Sequence, residues 1–435
     1  VAGPQGAGPA AGRQWRSAPH AAIVGGGVYV RERAAMDSSR PFEGVRVIDA
    51  THVLAGPFAA YQLALLGADV IKVEHPEEPD QSRGTGADLA LNRLGMGTYA
   101  LTQNANKRSV TLDLKREGGK EVMRRLLAGA DVLVENYRPG AFEALGFGPE
   151  AVAALNPRLI YCSISAFGQN GPRRGQTAYD HVVQATSGVM AATGTPEANP
   201  IKFGAPVIDY ATGTMGAFAL AAALFQRERT GRGQRIDLAM LDVAMMMQAS
   251  HLTAFLRDGK GPAPRGNTHP YATNCAYETE DEALVMLGAS NLRQQRRLWA
   301  ALGRPEVAKA DNEARLAAHE EEAAVLREIM RARTADEWEE YLQARHVPAA
   351  RVRTTAEAMT DPHLAARGNL LHRFPEGSPG VEGAFGVPVA AFGLAHGGPR
   401  VDAPPPRLGA DTDAVLAELG YAPGDIAALR ASGAV

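Results

Sequence analysis

The sequence predicts an α/β fold, with an open and mostly parallel sheet that carries helices on both of its faces. Short runs rich in Val, Ile and Leu alternate with helical segments over residues 42–247, and such runs are typical of strands buried on both faces. Polar or Gly/Pro-rich loops directly follow three of these runs, at residues 52–57, 136–140 and 166–172. Because such sheets bind ligands beyond the carboxyl ends of their strands, these loops are the expected binding edge.

The individual elements follow from the apolar runs and from the turn residues between them. Residues 45–49 and 70–74 are predicted to be the first two strands, with an apolar helix at 58–66 between them. The same pattern then recurs along the chain. Further strands are predicted at 109–114, 131–135, 159–165 and 234–240, and further helices at 118–127, 149–155 and 217–225. The last of these helices is apolar enough to be buried.

Changes in composition predict how the chain is divided. Residues 1–41 are rich in Gly, Pro and Ala, which indicates a disordered leader or an extension upstream of Met36, and the glycine patch at 24–28 lacks dinucleotide-binding spacing. A hairpin pattern at 277–289, followed by helical sequence, predicts a smaller α+β domain. The predicted divisions are a large domain at 42–247, a linker at 248–270, the small domain at 271–355, a return linker at 356–407 and a C-terminal helix at 408–435 that rejoins the large domain.

Composition and charge argue against several classes of function. The net charge of −3 gives no electrostatic reason to expect a nucleic-acid partner. Cys162 and Cys275 are far apart in the sequence, which argues against a disulfide scaffold or a cysteine metal site and fits a reducing compartment. No metal-binding signature occurs, and the apolar runs at 217–225 and 240–247 are too short to span a bilayer. We therefore expect a cytoplasmic protein without a metal ion or a membrane partner.

Asp209 is the carboxylate that the pattern places best for chemistry. It follows a short apolar run and precedes a predicted turn that contains Gly213 and Gly216. A carboxylate at the mouth of a glycine-rich turn can act as an acid, a base or a nucleophile. The local sequence is equally consistent with Asp209 capping the helix that follows it.

Two other polar groups are candidates for ligand binding. Lys115 and Arg138 follow predicted neighbouring strands and are expected to converge on a phosphorylated ligand, whereas Lys107 and Arg108 precede a strand. Solvated surface charges are the alternative interpretation. The run Tyr179-Asp180-His181 is the second group, and it is either part of the site or the start of a helix.

Seven stretches of the chain together resemble the class III CoA-transferase family (CaiB/BaiF), which also contains the α-methylacyl-CoA racemases. They occur in the order and spacing of the family, from residue 44 to about residue 245. The stretches are GVRVIDATHVLAGPFAAYQLALLGADVIKVE, NKRSVTLDLK, DVLVENYRPGAFEALGFG, NPRLIYCSISAFGQNGP, AYDHVVQATSG, PVIDYATG and TGRGQRIDLAMLD.

The resemblance implies that Asp209 is the catalytic aspartate, which in the transferases attacks an acyl-CoA thioester. The racemases use this aspartate as a base, together with a histidine that lies 30 residues earlier in the chain. That position is Tyr179 here, and His181 is two residues away. Because a phenol is a poor partner for reversible proton exchange at neutral pH, Tyr179 favours the transferase branch.

The resemblance also implies which residues contact coenzyme A, the co-substrate. Tyr179 and Asp180 match positions in the active-site wall. Two arginines that are common in the family are replaced, one by His75 and one by Ala144, so that Arg138 is expected to supply the second charge. The positions that match CoA contacts are Val53, Ala55, His75, Leu112, Lys115, Asn136, Tyr137, Arg138 and Met240.

The acid substrates and the assembly are likewise implied only by the resemblance. Some members carry a glycine run that closes over the intermediate, and here the matching segment has Arg265, Gly266, Asn267 and His269, which suggests a longer dicarboxylic acid and succinyl-CoA as donor. The family fold implies a Rossmann-like large domain and a small domain, joined by long linkers in an interlocked homodimer. The alternatives to a CoA-transferase are an acyl-CoA racemase or isomerase, and a non-catalytic CoA-binding protein.

Overall fold

A computed structural model describes residues 39–377 and 383–435, so the glycine patch and all but the last three residues of the predicted leader lie outside the described residues. Six strands form the main sheet, and every neighbouring pair is parallel. They are β1 (Arg46–Ala50), β2 (Asp69–Glu74), β3 (Lys107–Thr111), β4 (Val132–Glu135), β5 (Ile160–Ser165) and β6 (Arg235–Ala239). This arrangement confirms the predicted α/β class and its parallel sheet.

The strands lie in the order β3-β2-β1-β4-β5-β6, so the order reverses at β1. Ile48 of β1 is in register with Ile71 of β2 on one side and with Leu133 of β4 on the other. At such a reversal, the loops that leave the two central strands turn away from each other and leave a crevice. The carboxyl ends of β1 and β4 border that crevice here.

Helices cover both faces of the sheet, as the alternating pattern predicts. Those in the first part of the chain are α1 (Ala55–Leu65), α2 (Leu89–Arg93), α3 (Thr98–Thr102), α4 (Glu117–Ala128), α5 (Ala141–Ala144), α6 (Pro149–Leu155), α7 (Asp180–Ser187), α8 (Val189–Ala192), α9 (Val207–Thr230), α10 (Met240–Met246) and α11 (Ala249–Asp258).

Successive side chains of the central strands enter two separate cores, one on each face of the sheet. Val47 of β1 packs with α1 and α9, while its neighbour Ile48 packs on the opposite face with α4 and α6. Both side chains are completely buried. This alternation explains why the strands read as continuous apolar runs, since neither face of the sheet meets water.

The helix that carries Asp209 is longer than the sequence indicates. The predicted glycine turn does not form, and α9 is continuous over 24 residues. Gly213 and Gly216 lie in the helix because it approaches α1 closely: a Cβ atom at Gly213 would come within 2.7 Å of the Ala55 carbonyl oxygen. The predicted full burial is also wrong, because Phe218 and Phe225 on the outer face are 69% and 61% exposed.

Strand β3 begins two residues earlier than predicted, which changes the role of its cations. Lys107 lies inside the strand with its side chain fully buried, and its Nζ atom is 2.8 Å from Asp49 Oδ2. Arg108 pairs with Asp69 and Glu418 at the sheet edge. Both charges therefore hold the fold together, and neither is free for a ligand.

A second sheet and a group of helices follow α11. The strands β7 (Ala276–Glu278), β8 (Leu284–Leu287) and β9 (Ala349–Arg351) form an antiparallel sheet, which includes the predicted hairpin. A core around Trp299 and Trp338 joins this sheet to its helices. The helices are α12 (Leu292–Ala301), α13 (Asn312–Ala317), α14 (His319–Met330) and α15 (Ala335–Gln343). Residues 40–435 form one compact unit, and the domain boundaries inside it stay predictions.

The segments predicted as linkers contain regular structure. The first begins with α11, and the second contains α16 (Thr355–Met359), α17 (Pro362–Arg367) and the strand pair β10 (Leu371–Phe374) and β11 (Phe385–Pro388). This pair packs against α1, where Tyr61 donates a hydrogen bond to the Pro388 carbonyl oxygen. The single predicted C-terminal helix is in fact two helices, α18 (Thr412–Glu418) and α19 (Pro423–Ala431), which pack beside β3 and α4.

By length and composition alone, α9 is also long and apolar enough to cross a membrane, contrary to the expectation from its short apolar run. A core helix can have the same composition, and one side of α9 packs against α1 and the sheet. Large apolar side chains on α10 and α11 are exposed as well. The expectation of no membrane partner stays a prediction.

Candidate active site

A cavity of about 350 Å³ lies at the carboxyl ends of β1, β4 and β5, where the strand order reverses. Six of the residues predicted from the sequence line it, namely Val53, Ala55, Asn136, Tyr179, Asp209 and Met240. Sequence reasoning missed three polar side chains in its wall, which are His52, Gln81 and Ser165. His52 is adjacent to the predicted contact Val53, and Ser165 directly precedes the loop at residues 166–172 that is predicted to lie at the binding edge. Gln81 carries no comparable signal.

Asp209 lies in the first turn of α9 and lines the cavity. It shares one stripe of the helix with Gly213, Gly216 and Leu220, which face α1 and the sheet. The close approach that the glycines allow therefore brings the carboxylate over the edge of the sheet. In the described part of the chain, no donor forms a hydrogen bond to this carboxylate.

The cap of α9 comes from Asp180 and not from Asp209. Asp180 Oδ2 accepts hydrogen bonds from the backbone N–H groups of Ile208, at 2.7 Å, and Asp209, at 3.0 Å. Asp180 is itself the first residue of α7, so the alternative interpretation of the Tyr179-Asp180-His181 run as a helix start is confirmed. The Asp180 side chain is buried behind the cavity wall, whereas Tyr179 is 52% exposed and lines the cavity.

The surroundings of Asp209 favour its protonated form. Burial is the main cause, and the negative charge of Asp180 adds to it, so that the pKa of Asp209 is raised to about 7. A carboxylate with a raised pKa is more basic than an ordinary aspartate and still ionises near neutral pH. Asp209 can therefore act either as a base or as a nucleophile.

The loop between β1 and α1, which also lines the cavity, is held in a strained conformation. Val53 has a φ of 69°, which is unusual for a β-branched residue. Its N–H group donates to Asp80 Oδ1 at 2.9 Å, and its carbonyl oxygen accepts from Gln103 Nε2 at 2.5 Å. Asp80 is in turn 3.1 Å from the buried Nζ atom of Lys72. These three buried side chains, which sequence reasoning missed, fix the backbone of Val53 at the cavity wall.

Charge pairing keeps Asp80 ionised in this buried position. Burial alone would raise the pKa of Asp80, but Lys72 and the N–H groups of Val53 and Ser82 lower it to about 2. Burial, together with Lys72, lowers the pKa of His52, so its imidazole is neutral at pH 7. The ring of His52 packs edge-on against Tyr137, with 5.4 Å between the centroids. The cavity is thus lined by a neutral imidazole as well as by Asp209.

A second cleft of about 540 Å³ continues from the first. Asn136 and Tyr179 are among the five residues that line both clefts. Tyr137 and the two exposed cations Arg138 and Arg174 line the second cleft only. The sequence predicts Tyr137 and Arg138 here but not Arg174. Together, the clefts offer a carboxylate at one end and positive charge at the other, which suits a long anionic ligand.

Comparison with known proteins assigns this arrangement to a family. The family model described as CoA-transferase family III matches residues 42–412. The chain belongs to CoA-transferase family III. It is 36% identical over 391 residues to the succinate–glutarate CoA-transferase of Agrobacterium fabrum, which covers 87% of this chain and 96% of that protein. It is 38% identical over 337 residues to the acetyl-CoA:oxalate CoA-transferase of Acetobacter aceti, which covers 76% and 85%.

A solved structure supports the same assignment. A CAIB/BAIF family protein from Brucella suis superposes with a TM-score of 0.76 at 34% identity, covering 88% of this chain and all of that chain. The predictions of the family and of CoA-transferase activity are thus confirmed. CoA thioesters are the co-substrates of such enzymes, as predicted.

Three of the predicted CoA-contacting residues of this CoA-transferase line neither cleft. The side chain of Leu112 is buried in the core beneath the sheet. His75 Nε2 lies 3.6 Å from Asp113 Oδ1, and the same oxygen accepts a hydrogen bond from the backbone N–H of Lys115 at 2.8 Å. The structure therefore does not bring Lys115 and Arg138 together in either of these clefts, although the roles of these residues in binding CoA stay predictions.

The predicted acid-binding residues of the CoA-transferase, Arg265, Asn267 and His269, line neither cleft. Their loop is tied to the turn after α8, because Gly266 N–H donates to the Gly194 carbonyl oxygen at 2.5 Å.

Within residues 39–377 and 383–435, no three or more His, Cys, Asp or Glu side chains are grouped to hold a metal ion. That the enzyme needs no metal, and that it is cytoplasmic, remain predictions.

Proposed function

We propose that this CoA-transferase moves CoA from succinyl-CoA to a free dicarboxylic acid through a covalent intermediate on Asp209. The observation that carries the proposal is the Asp209 carboxylate, which faces a cavity at the strand-order reversal and receives no hydrogen bond from the described residues. The succinate–glutarate enzyme of Agrobacterium fabrum, which this chain matches over 96% of that protein's length, supports the choice of acids.

The proposed reaction begins with ionised Asp209. One of its oxygens attacks the thioester carbonyl carbon, and the carbon–sulfur bond breaks to give a mixed aspartyl–acyl anhydride and the CoA thiolate. The thiolate then attacks the aspartyl carbonyl carbon, which releases the first acid and leaves an aspartyl-CoA thioester. The incoming carboxylate takes the CoA by the same steps in reverse and regenerates Asp209.

A covalent route suits this exchange because a free carboxylate cannot take the CoA group directly from the thioester of another acid. The exchange needs an activated acyl intermediate. An activated acyl group on the enzyme keeps the energy of the thioester through the exchange. The strained β1–α1 loop and the neutral His52 line the same cavity as Asp209, where they can contact the reacting carbonyl group and limit the entry of water.

We also propose that two chains form the predicted interlocked homodimer. The outer faces of α9, α10 and α11 carry large apolar side chains in contact with solvent, among them Phe218 at 69%, Met246 at 64% and Leu256 at 84% exposure. Clusters of exposed large apolar side chains are typical of protein interfaces. Such a dimer also offers a way for Arg265, Asn267 and His269 to reach a cavity, since they line neither cleft of their own chain.

The Asp209→Ala variant tests the nucleophile. Transfer from succinyl-CoA to glutarate is expected to be lost, while binding of CoA to the variant persists. The matched control is Glu228→Ala, which removes an exposed carboxylate from the same helix and should leave transfer unchanged. Trapping with hydroxylamine after addition of succinyl-CoA, followed by mass spectrometry, should place the adduct on Asp209. Transfer by Asp209→Ala, or an unmodified Asp209 peptide in the wild type, would contradict the proposal.

A series of acceptor acids tests which class of acid the enzyme accepts. Succinyl-CoA is offered with dicarboxylic acids of increasing length and with monocarboxylic acids of matched length. The highest kcat/KM is expected for a dicarboxylic acid longer than oxalate. Equal rates with matched monocarboxylic acids would show that the second carboxylate is not recognised.

A further inference from the structure

Asp180 and Asp209 are connected through the first turn of α9. Asp180 Oδ2 accepts the N–H groups of Ile208 and Asp209, and Asp180 Oδ1 accepts a hydrogen bond from Gln184 Nε2 at 2.5 Å. Gln184 Oε1 in turn accepts the backbone N–H of Phe203 at 2.8 Å. Asp180 is 6% exposed and Gln184 is 1% exposed, so both of these side chains are shielded from water.

These bonds occupy the donors that would otherwise attract the nucleophile. The first N–H groups of a helix have no partner within the helix, and a carboxylate in the first turn is drawn towards them. In α9, Asp180 already accepts two of these groups. The Asp209 carboxylate is thereby left to face the cavity. A carboxylate that accepts fewer hydrogen bonds is less stabilised in its resting state and is more reactive.

We propose that Asp180 is a positioning residue of the transfer reaction. Its carboxylate holds the first turn of α9 and takes up the helix N–H groups, so that Asp209 is free to attack the thioester. This inference rests on the proposed role of Asp209 as nucleophile. It assigns to Asp180 a task different from the predicted one of lining the active-site wall.

The charge of Asp180 acts in the same direction as its hydrogen bonds. Asp180 is the charged group whose field, after burial, raises the pKa of Asp209. The other titratable groups around Asp209 are the neutral His52, which with Tyr179 lines the cavity, and the neighbouring phenol of Tyr210. Removing Asp180 should therefore change the pH at which Asp209 ionises, which a purely structural role would not do.

The first measurement compares Asp180→Ala with the wild type in the succinyl-CoA and glutarate assay. We expect kcat to fall about 100-fold, because a displaced nucleophile costs about this much, while KM for succinyl-CoA changes less than about threefold. The acidic limb of the rate profile should move to lower pH, since the Asp209 carboxylate gains the freed N–H donors and loses a neighbouring negative charge.

The second measurement tests the hydrogen bonds by reversing the donor and the acceptor at positions 180 and 184, and it does not depend on Asp180→Ala folding. In Asp180→Asn, the amide nitrogen of the new side chain faces the amide nitrogen of Gln184, so that two donors meet. In Gln184→Glu, two carboxylates meet and neither can donate. Each single variant should lose activity by about tenfold or more. In the double variant, the amide introduced at position 180 can accept the two N–H groups of α9 and donate to the carboxylate introduced at position 184, which still accepts Phe203 N–H. Its kcat should return to within about fivefold of the wild type.

The outcomes distinguish this inference from the proposed function. If Asp209→Ala still transfers CoA, both the proposed function and this inference are wrong. If Asp209→Ala is inactive while Asp180→Ala keeps the wild-type kcat and pH profile, the inference alone is overturned. A folded double variant, checked by circular dichroism and thermal unfolding, that stays about 100-fold below the wild type also overturns it.

Discussion

The side chain of Asn136 makes two hydrogen bonds of 2.8 Å to the backbone of His52, one as acceptor from the N–H group and one as donor to the carbonyl oxygen. These bonds tie the loop that leaves β4 to the loop that leaves β1, across the point where the strand order reverses. Asn136 therefore fixes the shape of the cavity as well as lining it.

Replacing Asn136 by Ala should loosen this connection. We expect the free energy of unfolding to fall by about 1–3 kcal/mol, because two backbone groups lose their partner. KM for succinyl-CoA should rise, since the cavity wall is no longer fixed. Asn136→Asp keeps the bond from His52 N–H and should recover part of the stability. Equal stability of Asn136→Ala and the wild type in chemical denaturation would contradict this role.

The pH dependence of the free enzyme should report the raised pKa of Asp209. Only the ionised carboxylate can attack, so kcat/KM is expected to rise with pH and to level off above about 7. Below that value, the rate should fall about tenfold per pH unit. The measurement is kcat/KM for succinyl-CoA between about pH 5 and about pH 9. An acidic limb near the ordinary aspartate value, around 4, would contradict the burial of this group.

Asp209→Asn should stabilise the protein while abolishing transfer. The pKa of Asp209 is higher in the folded chain than in the unfolded chain, so wild-type stability falls as pH rises from about 4 towards about 7. Asparagine does not ionise and avoids this loss. At pH 8, the variant should be more stable by about 1–3 kcal/mol, a value reduced for partial contact with solvent.

The comparison of wild type and Asp209→Asn is made by thermal unfolding at about pH 5 and about pH 8. The advantage of the variant should be larger at the higher pH. An advantage that is the same at both pH values would show that the carboxylate is not destabilised by its surroundings.

Asp80 should contribute both to the stability of the fold and to the shape of the cavity wall. It is a fully buried partner of Lys72 and holds the strained backbone of Val53. Asp80→Ala leaves Lys72 with one fewer partner and should cost about 3–5 kcal/mol of stability. Glu78→Ala, an exposed carboxylate in the same loop, is the control and should cost less than about 0.5 kcal/mol. The free energy of unfolding of both variants is measured by urea denaturation. Similar losses of stability in the two variants would contradict the structural role of Asp80.

The oligomeric state tests the proposed dimer. Sedimentation equilibrium should give twice the mass of one chain, with no dilution-dependent dissociation, because interlocked chains cannot separate without unfolding. A monomer at micromolar concentration would contradict the proposal and leave the exposed apolar faces of α9, α10 and α11 unexplained.

Much of the sheet could be read from the sequence because its strands are buried on both faces. A run such as that around Val47 and Ile48 is apolar throughout, and helical segments between such runs require parallel connections. The prediction of a turn at Gly213 and Gly216 is wrong for a specific reason. Glycine also allows two helices to approach each other closely, and only the packing of α9 against α1 distinguishes this use from a turn.

The residues of the candidate site were also predictable only in part. Val53, Asn136, Tyr179 and Asp209 were predicted from short motifs and meet in one cavity. Lys107, also in a quoted motif, is instead buried against Asp49, which lies 58 residues away in the sequence. A sequence motif gives the residue types and their spacing. It does not show whether a given side chain contacts a ligand or packs in the core.

The sequence by itself determined the α/β class, the family and the identity of the carboxylate proposed to act, because these depend on local patterns of residue types. Only the tertiary structure decided which groups surround that carboxylate. Asp180 caps the helix of Asp209 from 29 residues away, and Asp80 and Gln103 hold Val53 from separate loops. The physical reason is that hydrogen bonds and burial depend on distance in space, which folding sets between residues that the sequence separates.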